Sequence, residues 1–484
     1  MARENPANRR DLTQGPIGST LLLFALPTLG SSVLQSLNGS INAIWIGQIL
    51  GEKALAATTN ASLVMFLLFA AVFGFGMAAT ILVGQNMGRR DIDTARRVLG
   101  TALGLFIALS MVTVAAGWVF APALLRLLST PAEVFPLALA YLRVIFLFMP
   151  ASYLTVLLMM GLRGMGDSMT PLYFMGLSAV LDVALNPVFI LGLGPAPALG
   201  IAGSAVATVI AGLAGLAGMI AYIYVKDLPI RLRGHEWRYL VCDRGLLKRI
   251  VGLGVPMGLQ MIVVSTSALA MIGLVNQQGT ETTAAYGAAN QLWTYIQMPA
   301  MAIGAAVSAM VAQNIGADRW DRVARVTRAG VWMNMLMTGA LLAVLTLLDR
   351  HVLWLFLGTD ADAIGIAVRI NLLAGWSFLL FGISIVLSAT VRANGAVIGP
   401  LVILAIAMFP VRFGFAYSLE PSWGGDAIWW SFPLGSAASM LMTIGYYLHG
   451  GWRRQRLVGP PTVLEAEERT LADADATGKM NPVA

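Results

Sequence analysis

The stretch Val83-Gly-Gln-Asn-Met-Gly88 recurs 228 residues later in the chain as Val311-Ala-Gln-Asn-Ile-Gly316. Asp93, Arg97 and Val98 recur at the same shift, so seven of sixteen positions are identical, where chance would give about one. Further pairs follow at a shift of 229 residues: Pro27 with Pro256, Arg163 with Arg392, Gly166 with Gly395, and Pro171 with Pro400. These matches indicate two copies of one structural unit.

The chain around these repeats is too apolar for a water-soluble protein. Of its 484 residues 58% are hydrophobic and 11% are charged, against roughly 25% charged in an ordinary soluble domain. Twelve apolar windows, each long enough to cross a bilayer as a helix, lie between residues 17 and 449. The sequence predicts an all-α polytopic membrane protein, with 12 transmembrane helices in two pseudo-symmetric six-helix bundles around a central cavity.

Several other classes of protein are excluded by the same composition. The apolar windows do not alternate in polarity, which excludes a transmembrane β-barrel. The single cysteine, Cys242, cannot form an internal disulfide, and the three histidines are scattered, so we expect no metal centre and no cofactor. No paired Asp, His or Glu cluster of an intramembrane enzyme is present, and we expect no catalytic residues. The net charge of +7 is not interpreted as nucleic-acid binding, because the basic residues follow a membrane topology.

The basic residues alternate from loop to loop along the chain. With a cytoplasmic N-terminus, 25 of the 31 Lys and Arg residues fall in cytoplasmic segments. The other six are Lys53, Arg126, Arg143, Arg350, Arg369 and Arg412. By the positive-inside rule this asymmetry predicts that both termini are cytoplasmic, in a multi-pass protein of the bacterial inner (plasma) membrane.

Changes in composition divide the chain into five parts. Residues 17–225 form the predicted N-terminal bundle and residues 250–450 the C-terminal bundle. Between them, residues 226–249 are polar and contain seven basic residues, which is typical of a cytoplasmic linker. Residues 1–16 are a short cytoplasmic N-terminus. Residues 451–484 turn acidic and poor in bulky apolar side chains, which predicts a disordered cytoplasmic tail.

One carboxylate, Asp182, lies well inside a predicted span, and an ionisable group at that depth is a functional candidate. Ser178 and Asn186 lie one helical turn on either side of it, and Thr208 offers a hydroxyl from the sixth span. The first span has a polar stripe of Ser31, Gln35, Asn38 and Asn42. We predict that Asp182, Asn42, Asn186 and Thr208 couple a cation and that Gln35, Asn38 and Ser178 line a cavity. The alternative for each amide is a structural hydrogen bond between helices.

A second polar stripe runs along the eighth predicted span. It consists of Tyr286, Asn290, Thr294 and Gln297, with Trp293 and Met298 beside it. Aromatic rings and thioethers suit a pocket that accepts many flat cationic molecules. We therefore predict that these six residues line a drug-binding cavity, the alternative being ordinary helix packing.

Further motifs accompany the repeated pair Gln85-Asn86-x-Gly88 and Gln313-Asn314-x-Gly316. They are Trp45-Ile-Gly47, Leu55-Ala-Ala57, Leu162-Arg-Gly-Met-Gly166 at the end of the fourth helix, Asn186-Pro187, and the run Gly200-Ile-Ala-Gly-Ser-Ala-Val-Ala-Thr208 that opens the sixth helix. Over residues 15–450 these motifs resemble the multidrug and toxic compound extrusion (MATE) family. The resemblance implies an antiporter that exports organic, often cationic, drugs or toxic compounds by alternating access.

The chain departs from its relatives at the coupling residues. DinF-type members commonly have Asp at the position of Asn42, and in the fifth helix Asn followed four residues later by Asp; here the fifth helix has Asp182 and Asn186. NorM-type members carry acidic residues in helices seven, eight and ten, and those predicted helices contain none here. We place the chain nearer the DinF-type branch. With one carboxylate, H⁺ is expected rather than Na⁺, although Na⁺ at Asp182 stays open.

Two other functions compete with drug export. A flippase for lipid-linked saccharides has a similar number of helices, but its pyrophosphate cargo would need several convergent basic residues. Only Arg143, Arg369 and Arg412 lie at membrane depth. An intramembrane enzyme is the weaker alternative. The expected partners are small organic cations or drugs, H⁺ or Na⁺, and the lipid bilayer, and we expect a monomer.

Overall fold

The computed structural model describes residues 11–455 and 457, apart from 128–129, 195–196, 242 and 359–360. The described residues fold into fifteen α-helices. Their bounds are α1 Ile17–Leu50, α2 Glu52–Gly88, α3 Ile92–Leu127, α4 Phe135–Gly164, α5 Met169–Leu191, α6 Ile201–Val225, α7 Arg244–Asn276, α8 Thr280–Gly316, α9 Trp320–Leu347, α10 Asp349–Leu357, α11 Ala361–Ala374, α12 Ser377–Ala393, α13 Ile398–Ile406, α14 Arg412–Trp423 and α15 Asp426–His449. A π-helical turn, Ala407–Val411, joins α13 to α14 in one continuous helix.

Among the described residues, eleven continuous helices are long and apolar enough to cross a membrane. The pair α11 and α12, bent by 44° at a short break, forms a twelfth span. The prediction of an all-α membrane protein with twelve transmembrane helices is confirmed. We call α1–α6 the N-lobe and α7–α15 the C-lobe.

The connection between the lobes is shorter than the sequence predicted. We expected a linker over residues 226–249, whereas α7 begins at Arg244. The Asp243 carboxylate caps this helix by accepting hydrogen bonds from the backbone amides of Leu246 (3.2 Å) and Gly245 (2.8 Å). These amides hold the pKa of the Asp243 carboxyl below its usual value. Three of the seven basic residues assigned to the linker therefore lie in the first turns of α7.

The linker, residues 226–243, packs against the start of α3. It contains a 3₁₀ helix, Gly234–Leu240, whose Glu236 pairs with Arg96 at 2.9 Å. Arg96 also donates a hydrogen bond from Nε to the backbone oxygen of Pro229, at 2.6 Å. We use "linker side" for the face of the molecule that carries residues 226–243.

The ordered part of the chain also continues beyond the predicted end of the C-terminal bundle. Trp452 is buried, and its ring stacks on Tyr447 with centroids 5.5 Å apart. The backbone oxygen of Trp452 accepts a hydrogen bond from Asn394 Nδ2 at 2.8 Å. The predicted tail therefore starts with a packed turn. Residues 458–484 lie outside the described residues, and their disorder stays a prediction.

The two lobes contact each other through equivalent helices. In the N-lobe, α1 packs on α8 of the C-lobe, and in the C-lobe, α7 packs on α2 of the N-lobe. α2 and α7 are in close contact at Gly74, where a Cβ atom would lie 2.3 Å from the backbone oxygen of Gly254. The helices α1 and α7, which are related by the repeat, thus contact related helices of the opposite lobe.

The repeated Gln-Asn-x-Gly motif lies where the lobes meet on the linker side. Gln85 on α2 donates a hydrogen bond from Nε2 to the backbone oxygen of Ala393, at 2.7 Å. Its counterpart Gln313 on α8 donates from Nε2 to the backbone oxygen of Gly164, at 2.9 Å. Gly164 and Ala393 are themselves equivalent at a shift of 229 residues. The two hydrogen bonds are therefore a symmetric pair that crosses the lobe interface in both directions.

The glycines of the motif are required by the same contact. A Cβ atom on Gly88 would lie 1.9 Å from the backbone oxygen of Gln313, and one on Gly316 would lie 1.9 Å from that of Gln85. No side chain fits at either position while the lobes are in contact. We call these two hydrogen bonds and two glycine contacts the linker-side latch.

We expect Gly88→Ala to destabilise the packed arrangement of the lobes by about 1–3 kcal/mol, the usual cost of overpacking. Thermal unfolding of the purified protein in detergent measures the effect. Gly252→Ala on α7 is the matched control, because nothing lies within 4 Å of the added Cβ atom there. Equal unfolding midpoints for the two variants would contradict the latch.

Candidate functional site

The buried carboxylate of Asp182 is the centre of a hydrogen-bond cluster between three helices of the N-lobe. Its side chain on α5 is 1% exposed. Asn38 and Asn42 on α1 donate from their Nδ2 atoms to Oδ2, at 2.7 and 2.8 Å. Oδ1 accepts a hydrogen bond from Asn186 Nδ2 at 3.1 Å and another from Thr208 Oγ1 on α6 at 3.0 Å. The structure brings together all four predicted coupling residues and one predicted cavity residue.

The helical spacing explains why these side chains meet. Asn38 and Asn42 lie one turn apart on α1, as Asp182 and Asn186 do on α5, so each helix presents one polar face. The two faces are joined a second time by Asn186 Nδ2, which lies 2.9 Å from Asn42 Oδ1. Lipid cannot satisfy amides and carboxylates, so these faces turn toward each other inside the bundle.

Each of the four donors points a positive hydrogen at a carboxylate oxygen of Asp182. Three buried oxygens near the cluster lack a hydrogen-bond partner: Asn38 Oδ1, Asn186 Oδ1 and Ser204 Oγ. Two of them belong to amides whose nitrogens contact Asp182. The cluster thus combines one negative charge with neutral oxygens, which is the donor set of a proton or alkali-cation site. Among the described residues, no group of three His, Cys, Asp or Glu side chains could hold a metal ion.

The cluster borders a cavity of about 670 Å³ that is lined mainly by the N-lobe and is completed by Met261 of α7; we call it the N-lobe cavity. Its lining includes Asp182 and Thr208, together with the predicted cavity residues Gln35, Asn38 and Ser178. Much of the remaining wall consists of aromatic rings and thioethers: Phe66, Phe69, Phe73, Phe148, Phe174, Met159, Met160, Met175, Met219 and Met261. Sequence reasoning did not identify this wall, because single apolar residues on a membrane helix have no signal that separates cavity from lipid.

Arg163, at the end of α4, lines the same cavity. From the sequence, Arg163 counts among the 25 cytoplasmic basic residues and belongs to the repeated motif, and it is assigned to no cavity. A charged residue near the end of an apolar span was the signal that could have identified it. The cavity wall therefore carries one carboxylate and one guanidinium, on different helices.

The placement of Tyr286 and Trp293 in the C-lobe differs from the prediction that these two residues line a drug-binding cavity. Tyr286 stacks on Trp429 with centroids 5.8 Å apart, and Trp293 meets Phe432 edge-on at 5.0 Å. Arg412 is also buried here, with its guanidinium carbon 3.5 Å from the centroid of the Phe432 ring, so it does not extend to the membrane surface. Burial of aromatic rings against one another is stabilising, which explains why these rings pack together rather than face an open cavity.

The other four predicted residues of the α8 stripe do not gather in one pocket. Asn290 and Thr294 are exposed on the helix surface, and Gln297 and Met298 are half-buried. Thr294 Oγ1 donates to the backbone oxygen of Asn290 at 3.1 Å, within the same helix. None of the four lines the N-lobe cavity or the smaller cavity of the C-lobe. Their contact with a substrate stays a prediction.

We expect Thr208→Val to lower the free energy of unfolding by about 1.5–3 kcal/mol, because it removes a hydrogen bond to a buried charged group. The control is Thr155→Val, in the same cavity wall, where the hydroxyl bonds only to the backbone oxygen of Ala151 on its own helix. Thermal unfolding in detergent compares them. Equal losses in both variants would mean that the Asp182 contact contributes no specific stability.

Comparisons with known proteins agree with this architecture. The family model described as MatE matches residues 27–188 and again residues 256–418, once in each lobe. The chain is 36% identical to the probable multidrug resistance protein YoeA of Bacillus subtilis, over 94% of this chain and 98% of that protein. It is 31% identical to the probable multidrug resistance protein YpnP of the same organism, over 92% and 98%.

Solved structures share the fold. One, described as the outward-facing conformation of a multidrug resistance MATE family transporter of the MOP superfamily, has a TM-score of 0.83 with 20% identity. The match covers 90% of this chain and 96% of the chain in that structure.

Proposed function

The chain belongs to the MATE family of multi-pass membrane transporters, and from that premise we propose that it is a cation-coupled antiporter that exports bulky organic cations. The observation that carries the proposal is the position of Asp182. This carboxylate is held by four donors from three helices and also forms part of the wall of the N-lobe cavity. A single group is thus in contact with both the coupling cluster and the space for a substrate.

Coupling follows from competition at one carboxylate. When Asp182 is ionised, its charge attracts an organic cation into the cavity. When a proton binds, the charge is lost and the cationic substrate is released. A proton that enters on the outer side and leaves on the inner side supplies about 1.4 kcal/mol per unit of pH gradient for each turnover. Among the described residues that line the cavity, Asp182 is the one acidic residue, which supports H⁺ as the coupling ion.

Sodium is a second candidate, and a specific observation favours it. The oxygens Asn38 Oδ1 and Asn186 Oδ1 have no hydrogen-bond partner, and each belongs to an amide that contacts Asp182. Rotation of either amide would present its oxygen to a bound cation. One carboxylate with neutral oxygens binds Na⁺ less strongly than a site with more negatively charged oxygens. H⁺ is therefore the first choice.

The chemistry of the cavity wall supports the substrate class. A volume of about 670 Å³ lies within the range of sites for drug-sized molecules. Aromatic faces bind cations through their quadrupoles, and methionine side chains repack around different shapes. The wall fits flat, apolar cations better than sugars or phosphates.

Transport requires the cavity to open to each side in turn. The linker-side latch closes the lobes on one side, and the excess of basic residues there supports the assignment of that side to the cytoplasm. The structure would then be the outward-facing state, with both termini cytoplasmic in a bacterial inner membrane. A monomer suffices, since the described residues that line the proposed site belong to one chain. A position nearer the DinF-type branch stays a prediction.

A lipid-linked saccharide flippase is less well supported. Pyrophosphate would need several basic residues in one cavity, and the described lining of the N-lobe cavity contains one, Arg163. The aromatic and thioether wall also offers few hydrogen bonds to a sugar.

We expect Asp182→Asn to abolish gradient-driven efflux of a fluorescent organic cation from proteoliposomes, because an amide cannot bind and release a proton. Asp349→Asn is the matched control. Asp349 is another buried carboxylate, it accepts a hydrogen bond from Asn371 at 2.8 Å, and burial raises its pKa. Transport near the wild-type rate in Asp182→Asn would remove this residue from the mechanism.

We expect Asn42→Asp to shift the pH optimum of efflux upward or to make efflux dependent on Na⁺. The new carboxylate would replace an amide nitrogen that now lies 2.8 Å from Asp182 Oδ2. Like charges at that distance cannot both ionise at low cost, so one proton is held more tightly or a sodium ion is recruited. The pH profile is measured with and without Na⁺. An unchanged profile in both conditions would show that α1 and α5 do not share one cation site.

A further inference from the structure

A second, smaller cavity of about 140 Å³ lies inside the C-lobe. Its wall is formed by α7, α8, α12, α13 and α15, and it is completed by Phe73 and Met77 from α2 of the N-lobe. The lining therefore crosses the lobe interface near the close approach of Gly74 to α7. Neither the coupling cluster nor the substrate cavity includes any of the polar residues of this second wall.

The polar part of the wall is a stripe along α12. Ser384, Ser388 and Arg392 follow one another at intervals of four residues, so they lie on one face of the helix, and all three line the cavity. Opposite them, Ser439 and Thr443 of α15 also line it. Ser384 Oγ lies 2.8 Å from Ser439 Oγ and 3.1 Å from Thr443 Oγ1. Hydroxyl groups and one cation thus face a common space.

Arg392 has no anionic partner in this wall. Its Nη1 donates to Gln260 Oε1 at 2.9 Å, and its Nε is buried without an acceptor. The described residues that line the cavity include no Asp or Glu. A guanidinium stays charged at any physiological pH, and a buried charge without a counter-charge is costly. The repeat-related Arg163 lines the N-lobe cavity, but that cavity contains Asp182.

We propose that this C-lobe cavity is a binding site for a small oxyanion, either a short-chain carboxylate or inorganic phosphate. Because Gln260 occupies Nη1, the Nη2 amino group is left for a charge-assisted contact with an oxygen of the anion. The hydroxyl of Ser388, one turn away, donates a further hydrogen bond to the anion. A cavity of about 140 Å³ has room for acetate or phosphate.

Binding has a consequence for stability. Since residues of both lobes form the wall, an anion that binds the packed arrangement stabilises it by mass action. This inference does not depend on the proposed transport function, because it concerns a different cavity with the opposite charge.

The test is thermal unfolding of the full-length protein in detergent, titrated with potassium acetate or potassium phosphate. Potassium chloride keeps the ionic strength constant and serves as the reference, because it has the same cation and no oxyanion. We expect acetate or phosphate, or both, to raise the unfolding midpoint to a saturating value, and the anion that does so identifies the source. No saturating rise above chloride for either anion would overturn the proposal.

Four variants locate the effect. Arg392→Gln should abolish the saturating rise, whereas Arg163→Gln, which removes the equivalent guanidinium from the N-lobe, should retain it. Ser388→Ala should raise the half-saturating concentration roughly tenfold, as expected for one lost hydrogen bond to a charged group. If Arg392→Gln cannot be purified, the same titrations of Ser388→Ala and Ser384→Ala test the proposal instead. An unchanged titration in Arg392→Gln, or in both serine variants, would place the anion elsewhere.

Discussion

A charge inside a membrane protein has to be compensated by other groups of the protein, and the compensation of Asp182 organises the N-lobe. Four donors from α1, α5 and α6 converge on two carboxylate oxygens. When the carboxylate of Asp182 loses its charge, all four donors lose a negatively charged acceptor. Protonation at this one position is therefore felt by three helices at once, which makes the cluster suited to linking ion binding to a movement of α1.

A movement of α1 would also act on the lobe interface. α1 also packs on α8, so a displacement of α1 at the coupling cluster acts on the surface that the latch holds together. The latch consists of two hydrogen bonds and two glycine contacts that are related by the internal repeat. In the proposed transport cycle this interface would be either packed or parted, because packed interfaces change between discrete arrangements rather than deforming gradually.

Much of the fold and of the coupling cluster was accessible from the sequence. Hydropathy predicted the twelve spans, and the four-residue spacing of Asn38, Asn42, Asp182 and Asn186 placed these residues on helix faces that must avoid lipid. Spacing within one helix does not show which helix lies opposite. For that reason the α8 stripe of Tyr286 and Trp293 was interpreted as a drug-binding wall, whereas both rings pack in an aromatic core. The aromatic wall of the N-lobe cavity, formed by residues from several helices, had no local pattern.

The central claim is that one carboxylate exchanges a proton for an organic cation. The most direct measurement is proton release when tetraphenylphosphonium is added to the purified transporter in weakly buffered detergent solution. The account predicts release of up to roughly one proton per bound cation in the wild-type protein and none in Asp182→Asn. Equal proton release by Asp182→Asn, or binding to the wild-type protein without release at any pH, would contradict it.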